Sequence, residues 1–403
     1  MSQKLSAARV GDVEPGTYVA GDQVRFSLDP YGDKYLLRFD GDPEVFVLYT
    51  DHVSLGGRML KYDSGATARN SGARMTASTI LMQLPTRSAL VVGDICLDRW
   101  CSYDPAASEP SRETGIPRKA VVSTEVTPGA GGTVANNLAA LGVGRVDVLG
   151  VVGDDGFGYE LRQALAVRGI DSRLLVTVPG LQTFTYTKVI NAQTGVEDQP
   201  RLDFINSRPL APEIEQQLVE RFRAEAGAYD VIIISDQAET GQAGVVTAAL
   251  REETAMFARR HAGKVVWADS RLRPELFRQV VVKPNQQEAE AACRRLFGGI
   301  DYSRLRAHVE APMLLVTHGG DGVLIVDAAR ERWVRTRPVE KPVDICGAGD
   351  SFSAAAAMAL AVTGDIEASV RFGNLVASIT IMKKGTGTAS PAEVLAAASS
   401  APC

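Results

Sequence analysis

Cysteine is scarce in this chain and scattered where it occurs: five residues in 403, Cys96, Cys101, Cys293, Cys346 and Cys403, with no Cys-x-x-Cys pair. That excludes a disulfide framework and a structural zinc knuckle, and makes a reducing cytoplasm the expected setting. An excess of either charge is also missing. The 43 basic and 48 acidic residues are well mixed and sum to −5, so neither a nucleic-acid footprint nor a polybasic membrane segment is expected. Long apolar runs are absent too. The longest, Ala354 to Val362, falls well short of the ~20 residues of a membrane span, and Met1-Ser2-Gln3-Lys4-Leu5-Ser6 lacks the apolar core of a signal peptide. What is abundant is core-forming material, 45% hydrophobic residues, enough for a large domain with a smaller one beside it. The expected partner is a small molecule.

Residues 1–87 differ from the remainder. Short alternating segments, Gln23-Val24-Arg25-Phe26-Ser27-Leu28 and Glu44-Val45-Phe46-Val47-Leu48-Tyr49, lie between Asp-Pro, Tyr-Gly-Asp and Asp-Gly-Asp turns, which predicts a small β-rich appendage of unassigned role. Gly56-Gly57-Arg58 and Asp63-Ser64-Gly65 read as turns, and Ser64 to Ser78 as a polar linker. From residue 88 to 403 the pattern changes. Apolar runs at Ala89–Val92, Val146–Val152, Val231–Ile234, Val265–Ala268, Val280–Val282, Met313–Val316 and Val323–Val326 alternate with amphipathic stretches at Gly158–Arg168, Glu213–Glu225, Gly244–Arg260 and Gln286–Phe297. This predicts an α/β fold, a doubly wound, mainly parallel sheet covered on both faces. In such a sheet ligands sit at the C-terminal strand ends, and Asp94, Asp98, Asp154, Ser235-Asp236, Asp269-Ser270-Arg271, Asn285 and Thr317 all follow candidate strands. Any one of them could be a turn former; seven in succession point to a polar edge.

Asp344-Ile345-Cys346-Gly347-Ala348-Gly349-Asp350, followed by the Ala-rich run Ser353 to Val362, reads as a tight loop feeding a helix. The free N–H groups and positive dipole end of such a helix suit a phosphate. Asp350 beside that site could take a proton from a group attacking phosphorus, although Asp also caps helices whatever the function. Cys346 reads as a small packing residue. Upstream, Gly129-Ala130-Gly131-Gly132-Thr133-Val134-Ala135-Asn136-Asn137 opens a helix; its glycines permit close backbone approach and its amides could pair with hydroxyls. Asp98, five residues after Gly93, could grip two hydroxyls. Asn285 with Glu288 at the third following position makes a capping box on structural grounds alone.

These motifs, in this order, resemble the ribokinase-like (PfkB) carbohydrate kinases over roughly residues 88 to 400. The resemblance implies an ATP-dependent kinase acting on a sugar or sugar phosphate. Asp350 is then the base, with Gly347, Ala348 and Gly349 supplying N–H groups to the phosphate. Asp98, Gly131, Gly132, Thr133 and Asn137 fall in the sugar-binding segments. Thr133 stands where relatives carry a sugar-binding Asn. Asn285 and Glu288 organise Mg2+ through water, Thr317, Gly319 and Gly322 face the nucleotide, Asn374 borders the adenine, and Asp344 is a candidate for a monovalent cation such as K+. A small β-sheet lid, with segments near 101–127 and 174–206, covers the sugar and in many relatives pairs two subunits, so a homodimer through the lid is expected. Val121–Val126 and Thr183–Ile190 are its clearest strands. Within the family, Leu97-Asp98-Arg99-Trp100, Arg201-Leu202-Asp203-Phe204, Ser235-Asp236, Asp269-Ser270-Arg271 and Gly385-Thr386-Gly387-Thr388 most resemble the kinase domain that converts D-glycero-D-manno-heptose 7-phosphate to the 1,7-bisphosphate. Lys188, Arg201 and Arg271 are candidates for the phosphate such a sugar carries. Gln237-Ala238-Glu239-Thr240 stands where Tyr-x-Lys-Gly is usual. The alternatives are a kinase of another small sugar or nucleoside, and a catalytically silent sugar- or nucleotide-binding regulator. A dinucleotide-binding oxidoreductase is disfavoured because Gly93-Asp94-Ile95, and no Gly-x-Gly-x-x-Gly, follows the first strand.

Overall fold

The computed structural model describes residues 76–399 except 241–242 and 337–338, together with five short strands before residue 63. It divides into two compact units, Met1–Arg74 and Met75–Cys403. In the first, strands β1 (Gly16–Ala20), β2 (Val24–Tyr31), β3 (Lys34–Phe39), β4 (Val45–Leu48) and β5 (Lys61–Tyr62) form an antiparallel sheet in the order β4-β3-β2-β1-β5. The two alternating segments picked out in the sequence fall on β2 and β4. The turns expected at Gly56-Gly57-Arg58 and Asp63-Ser64-Gly65, and most of the linker, lie outside the described residues.

The second unit begins with α1 (Ala77–Gln83), capped by the Thr76 hydroxyl, which accepts from the Thr79 N–H. Residues 77–87, grouped with the appendage on sequence grounds, contribute to this unit's core: Ile80, Leu81 and Leu84 are buried in it. The chain then runs through β6 (Ser88–Gly93), β7 (Ile95–Asp104), β8 (Ala120–Ala130), α2 (Gly131–Ala140), β9 (Arg145–Leu149), β10 (Val151–Gly153), α3 (Gly156–Val167), β11 (Val176–Val178), β12 (Thr185–Asn191), β13 (Leu202–Phe204) and α4 (Pro212–Glu225). It continues with β14 (Val231–Asp236), α5 (Ala248–Arg260), β15 (Val265–Ser270), β16 (Val281–Val282), α6 (Gln286–Phe297), α7 (Tyr302–His308), β17 (Leu314–Thr317), β18 (Val323–Val326) and β19 (Glu331–Val334). Helices α8 (Ala348–Thr363), α9 (Ile366–Thr380) and α10 (Pro391–Ser399) close it.

Eight strands form the main sheet in the order β19-β18-β17-β16-β15-β14-β6-β9. The pairs from β9 across to β17 are parallel, and β18 and β19 are antiparallel additions. Burial on both faces explains the unbroken apolar runs. Along β6 and β14, Ala89, Val91, Val231 and Ile233 join the core under α1, α2, α3, α8 and α9, while Leu90, Val92, Ile232 and Ile234 join the core under α4, α5, α6 and α7. Among the described residues no helix is long and apolar enough to cross a membrane.

A second sheet, β13-β12-β7-β8, stands beyond the C-terminal edge of the first. Its first strand begins at Ile95, only two residues after β6 ends, rather than near 101. Gly93 makes the switch possible: its φ is +134°, and a Cβ there would meet the Ser235 carbonyl oxygen at 2.1 Å. The run expected as one strand over Val146–Val152 is two, β9 in the main sheet and β10 paired with β11. The break is at Gly150, where a Cβ would meet the Gly93 carbonyl oxygen at 2.5 Å. Likewise the helix expected from Gly244 starts at Ala248, because the Thr247 hydroxyl caps it by accepting from the Leu250 N–H.

If residues 77–87 belong to this core, Leu84→Ala should cost about 2–5 kcal/mol of the second unit's stability, the usual loss for a fully buried Leu. Urea unfolding followed by tryptophan fluorescence checks it, and a change under ~0.5 kcal/mol would place Leu84 outside the core.

Candidate active site

At the C-terminal ends of three strands that lie side by side stand buried acids: Asp94 just past β6, Asp236 at the end of β14 and Asp269 one residue before the end of β15. Each is fully engaged. The Asp94 carboxylate accepts the backbone N–H groups of Gln237, Ala238 and Val245, each at 2.8 Å, and so holds both ends of the loop that follows β14. Burial, then the Asp236 charge, nevertheless raises the Asp94 pKa to about 6. Asp236 receives Arg273 through Nη2 at 2.8 Å and Nε at 2.9 Å, and the Ser270 hydroxyl at 2.7 Å. Asp269 receives Lys283 Nζ at 2.7 Å and the Ser353 hydroxyl at 2.9 Å. The last pair ties β15, the segment after β16 and α8 into one block.

Helix α8 starts at that block. Its N-cap is Gly347, in the left-handed region at φ 78°, and Asp350 is its third residue. The Asp344 carboxylate steadies the loop by accepting the Cys346 N–H at 2.9 Å and the Gly385 N–H at 3.1 Å. Of the three N–H groups assigned to a phosphate, that of Ala348 already donates to the Ile345 carbonyl at 3.2 Å. Those at the second and third helical positions, Gly349 and Asp350, belong to the first turn, which has no intrahelical acceptors. Lys283 Nζ lies 3.2 Å from where a Gly349 Cβ would be. Asp350 is half-buried, and its pKa is raised to about 7, first by loss of water and then by the Asp269 charge; Lys283 and Arg271 act in the opposite direction.

A cavity of about 150 Å³ opens above Asp350 and is roofed by the second sheet. The register of β7 with β12 sets Asp98 opposite Tyr186 and Trp100 opposite Lys188, and all four line the cavity. Burial raises the Asp98 pKa to about 6, against the pull of Lys188 and Arg201. Arg201 lines the wall and is held by two 2.7 Å bonds to Asp203. Lys188 is 3.8 Å from Glu197.

Of the residues singled out in the sequence, the structure thus brings Asp98, Thr133, Lys188, Arg201, Arg271, Gly347 and Asp350 to one cavity. Gly131 and Gly132 are buried at the start of α2 behind it, the Gly131 N–H donating to the Asp94 carbonyl at 2.9 Å. Asn137 is fully buried, its amide donating back to the Thr133 carbonyl at 2.9 Å, so it faces the helix packing and not the cavity. Asn285 and Glu288 form the expected reciprocal capping box. Glu288 also feels Asp269 and Lys283, and burial raises its pKa. Thr317 ends β17, with its N–H on the Pro284 carbonyl at 3.1 Å, and Gly319 and Gly322 shape the turn beyond it. Asn374 is half-buried on α9.

Trp100, Tyr186, Gln237, Glu239 and Lys283 were not proposed from sequence as site residues. The signal for Tyr186 was its two-residue spacing from Lys188, which puts both on one strand face; for Lys283, it was a cation following a buried strand.

Among the described residues no three His, Cys, Asp or Glu side chains converge as a protein-only metal cage would require. A single carboxylate, Glu288, beside the α8 loop fits Mg2+, which keeps several waters and takes phosphate oxygens as ligands.

Residues 88–393 match the model of the pfkB family carbohydrate kinases, and residues 2–70 match a domain of unknown function, DUF4908. The bifunctional protein HldE of Trichlorobacter lovleyi is 30% identical over 339 residues, covering 81% of this chain and 66% of that protein. HldE of Geobacter sulfurreducens is 33% identical over 324 residues, covering 76% and 62%. This chain therefore spans just under two thirds of the length of these relatives. Similar solved structures include ribokinase from Thermotoga maritima, with TM-score 0.56 and 23% identity over 77% of this chain and 99% of that one. Phosphofructokinase-2 from Escherichia coli in complex with potassium has TM-score 0.57 and 21% identity over 78% and 98%.

Asp350 yields a stability prediction that does not depend on activity. Its folded pKa lies above the unfolded value, so the ionised carboxyl opposes folding at alkaline pH, and the penalty fades as pH falls from about 7 towards 3.8. Asp350→Asn should melt at a higher temperature than the parent at pH 8 and at nearly the same temperature at pH 4. Calorimetry at both pH values decides, and an unchanged or lower melting temperature at pH 8 refutes the assignment.

Proposed function

The chain belongs to the pfkB family of carbohydrate kinases, a phosphotransferase family with an alcohol group as acceptor, and on that footing we propose that it transfers the γ-phosphate of ATP to a hydroxyl of a sugar phosphate. Heptose 7-phosphate, giving the 1,7-bisphosphate, is the acceptor we favour, from the similarity to the HldE proteins. The observation that carries the reading is the placement of Asp350. It combines a place in the first turn of α8, a raised pKa and a position in the cavity that Asp98 also lines.

In this reading Asp98 orients the acceptor by taking bonds from two hydroxyls. Lys188, Arg201 and Arg271 receive the phosphate it carries. Asp350 takes the proton of the attacking hydroxyl. The first-turn N–H groups of α8 and the Lys283 ammonium offset charge on the phosphate oxygens. Bound Mg2+ supplies neutralisation of the transferring phosphates; Asn285 and Glu288 would hold it through its waters. Thr317, Gly319, Gly322 and Asn374 take the nucleotide side. The potassium of the phosphofructokinase-2 structure extends to this chain as a proposed monovalent cation near Asp344. The exposed Val121 and Val122 on β8 offer an apolar lid face for a homodimer.

ATP consumption should be measured against heptose 7-phosphate, fructose 6-phosphate, ribose and adenosine. One acceptor should be turned over, with kcat falling as pH drops below about 7 because Asp350 must be ionised to act. Asp350→Asn should lose ~10²–10⁴-fold in kcat with little change in ATP affinity. Turnover at the parent rate in that variant removes Asp350 from the role. ATP binding with no turnover of any acceptor favours the silent regulator.

A further inference from the structure

Among the described residues the wall of the acceptor cavity has four cations, Arg99, Lys188, Arg201 and Arg271, and three of them form ion pairs with carboxylates that are not part of the wall: Glu160, Glu197 and Asp203. Arg271 differs. Its guanidinium is paired with Glu239, and Glu239 itself lines the cavity. Both side chains are about half exposed, 51% and 57%, so this ion pair stands in the space an acceptor must enter.

The position of Glu239 is built into the fold. Strands β14 and β15 are parallel neighbours, with Asp236 in register with Ser270, so residues just beyond their ends meet over the same edge. The Arg271 N–H donates to the Asp236 carbonyl at 3.0 Å. Asp94 fixes the Gln237 and Ala238 N–H groups, the two residues before Glu239. A carboxylate is thereby presented to Arg271 from an anchored loop.

We propose that Glu239 is a specificity-determining residue: it occupies Arg271 in place of an acceptor's anionic group and so sets the affinity for phosphorylated acceptors. The inference rests on the sugar-phosphate reading of the cavity. An anion entering beside Arg271 must displace the Glu239 carboxylate or share the guanidinium with it. Displacement is feasible because a half-exposed pair is weakly held, whereas a phosphate can take a guanidinium in two parallel charge-assisted bonds. A neutral sugar has no such competitor to remove.

Glu239→Gln keeps the size of the side chain and removes the charge. In steady-state assays with fructose 6-phosphate and fructose as a matched pair, it should lower KM for the phosphorylated sugar by about three- to tenfold, with no comparable gain for fructose and an unchanged KM for ATP. Isothermal titration with heptose 7-phosphate and with fructose 6-phosphate reads the same competition without turnover. Binding should tighten in Glu239→Gln, and the gain should disappear in Glu239→Gln combined with Arg271→Gln. An equal gain for both sugars, no gain, or a gain that survives loss of Arg271 overturns the proposal; so does weaker binding with a lowered melting temperature, the mark of a purely structural pair. Absence of turnover with every sugar phosphate defeats the kinase reading alone, since the titration still decides the role of Glu239.

Discussion

The second unit depends on how it satisfies three buried carboxylates in a row. Asp94 and Asp236 share one face at the ends of adjacent parallel strands and repel each other. Asp269, in register with Ser235, stands near the end of the next strand on the opposite face, beside Asp350. A buried carboxylate in any of these places must be neutralised or fully hydrogen-bonded. The solutions differ and each has a structural consequence. Asp94 is met by backbone N–H groups and therefore fixes a loop; Asp236 is met by Arg273 and fixes the turn after β15; Asp269 is met by Lys283 and Ser353 and fixes α8 to the sheet. Removing one partner of such a buried pair typically costs 3–5 kcal/mol, because the other charge is stranded. The site's geometry is in this sense a by-product of keeping the sheet's edge electrostatically satisfied.

Asp350 stands outside that arrangement. No protein donor bonds its carboxylate among the described residues, and its nearest strong influence apart from desolvation is the like charge of Asp269. Three acids are saturated and a fourth is left wanting a proton. Such a contrast is what a general base near neutral pH requires, and it runs against stability at the same position.

Much of this was legible in the chain. Continuous β-branched runs such as Val231-Ile232-Ile233-Ile234 had to be buried on both faces, and the alternation with amphipathic stretches led to the parallel sheet and the polar edge. The Gly347-Ala348-Gly349 turn before an Ala-rich run led to α8. The failures have a common cause, contacts made by backbone at long range. Nothing local to Val146–Val152 says that Gly150 must pass the Gly93 carbonyl, so one strand was expected where two exist. The same holds for Asn137, whose amide suits a sugar by type but is turned inward onto the Thr133 carbonyl. Of the polar residues expected along one edge, Asp94, Asp236, Asp269, Asn285 and Thr317 stand at strand ends of the main sheet, whereas Asp98 lies within β7 of the second sheet and Asp154 follows β10 of the β10-β11 pair. The sequence also does not distinguish a carboxylate that holds a loop from one that meets a ligand; Asp94 and Asp98, four residues apart, are one of each in the proposed function.

Thr133 shows how the cavity's chemistry is redistributed. It lines the space above Asp350, but its hydroxyl is directed to the Pro128 carbonyl at 3.4 Å, and its methyl would touch a Cβ placed on Gly347 at 3.3 Å. A side chain used this way offers an acceptor little beyond shape. In the proposed function polar recognition then falls to Asp98 and the cations around it, and among the described residues Arg271 is the wall cation that forms a direct ion pair with another wall residue. With Thr133 contributing shape alone in that function, the charged side chains of the wall share acceptor discrimination with Asp98, which gives a single carboxylate at position 239 more leverage over substrate choice than its exposed setting suggests.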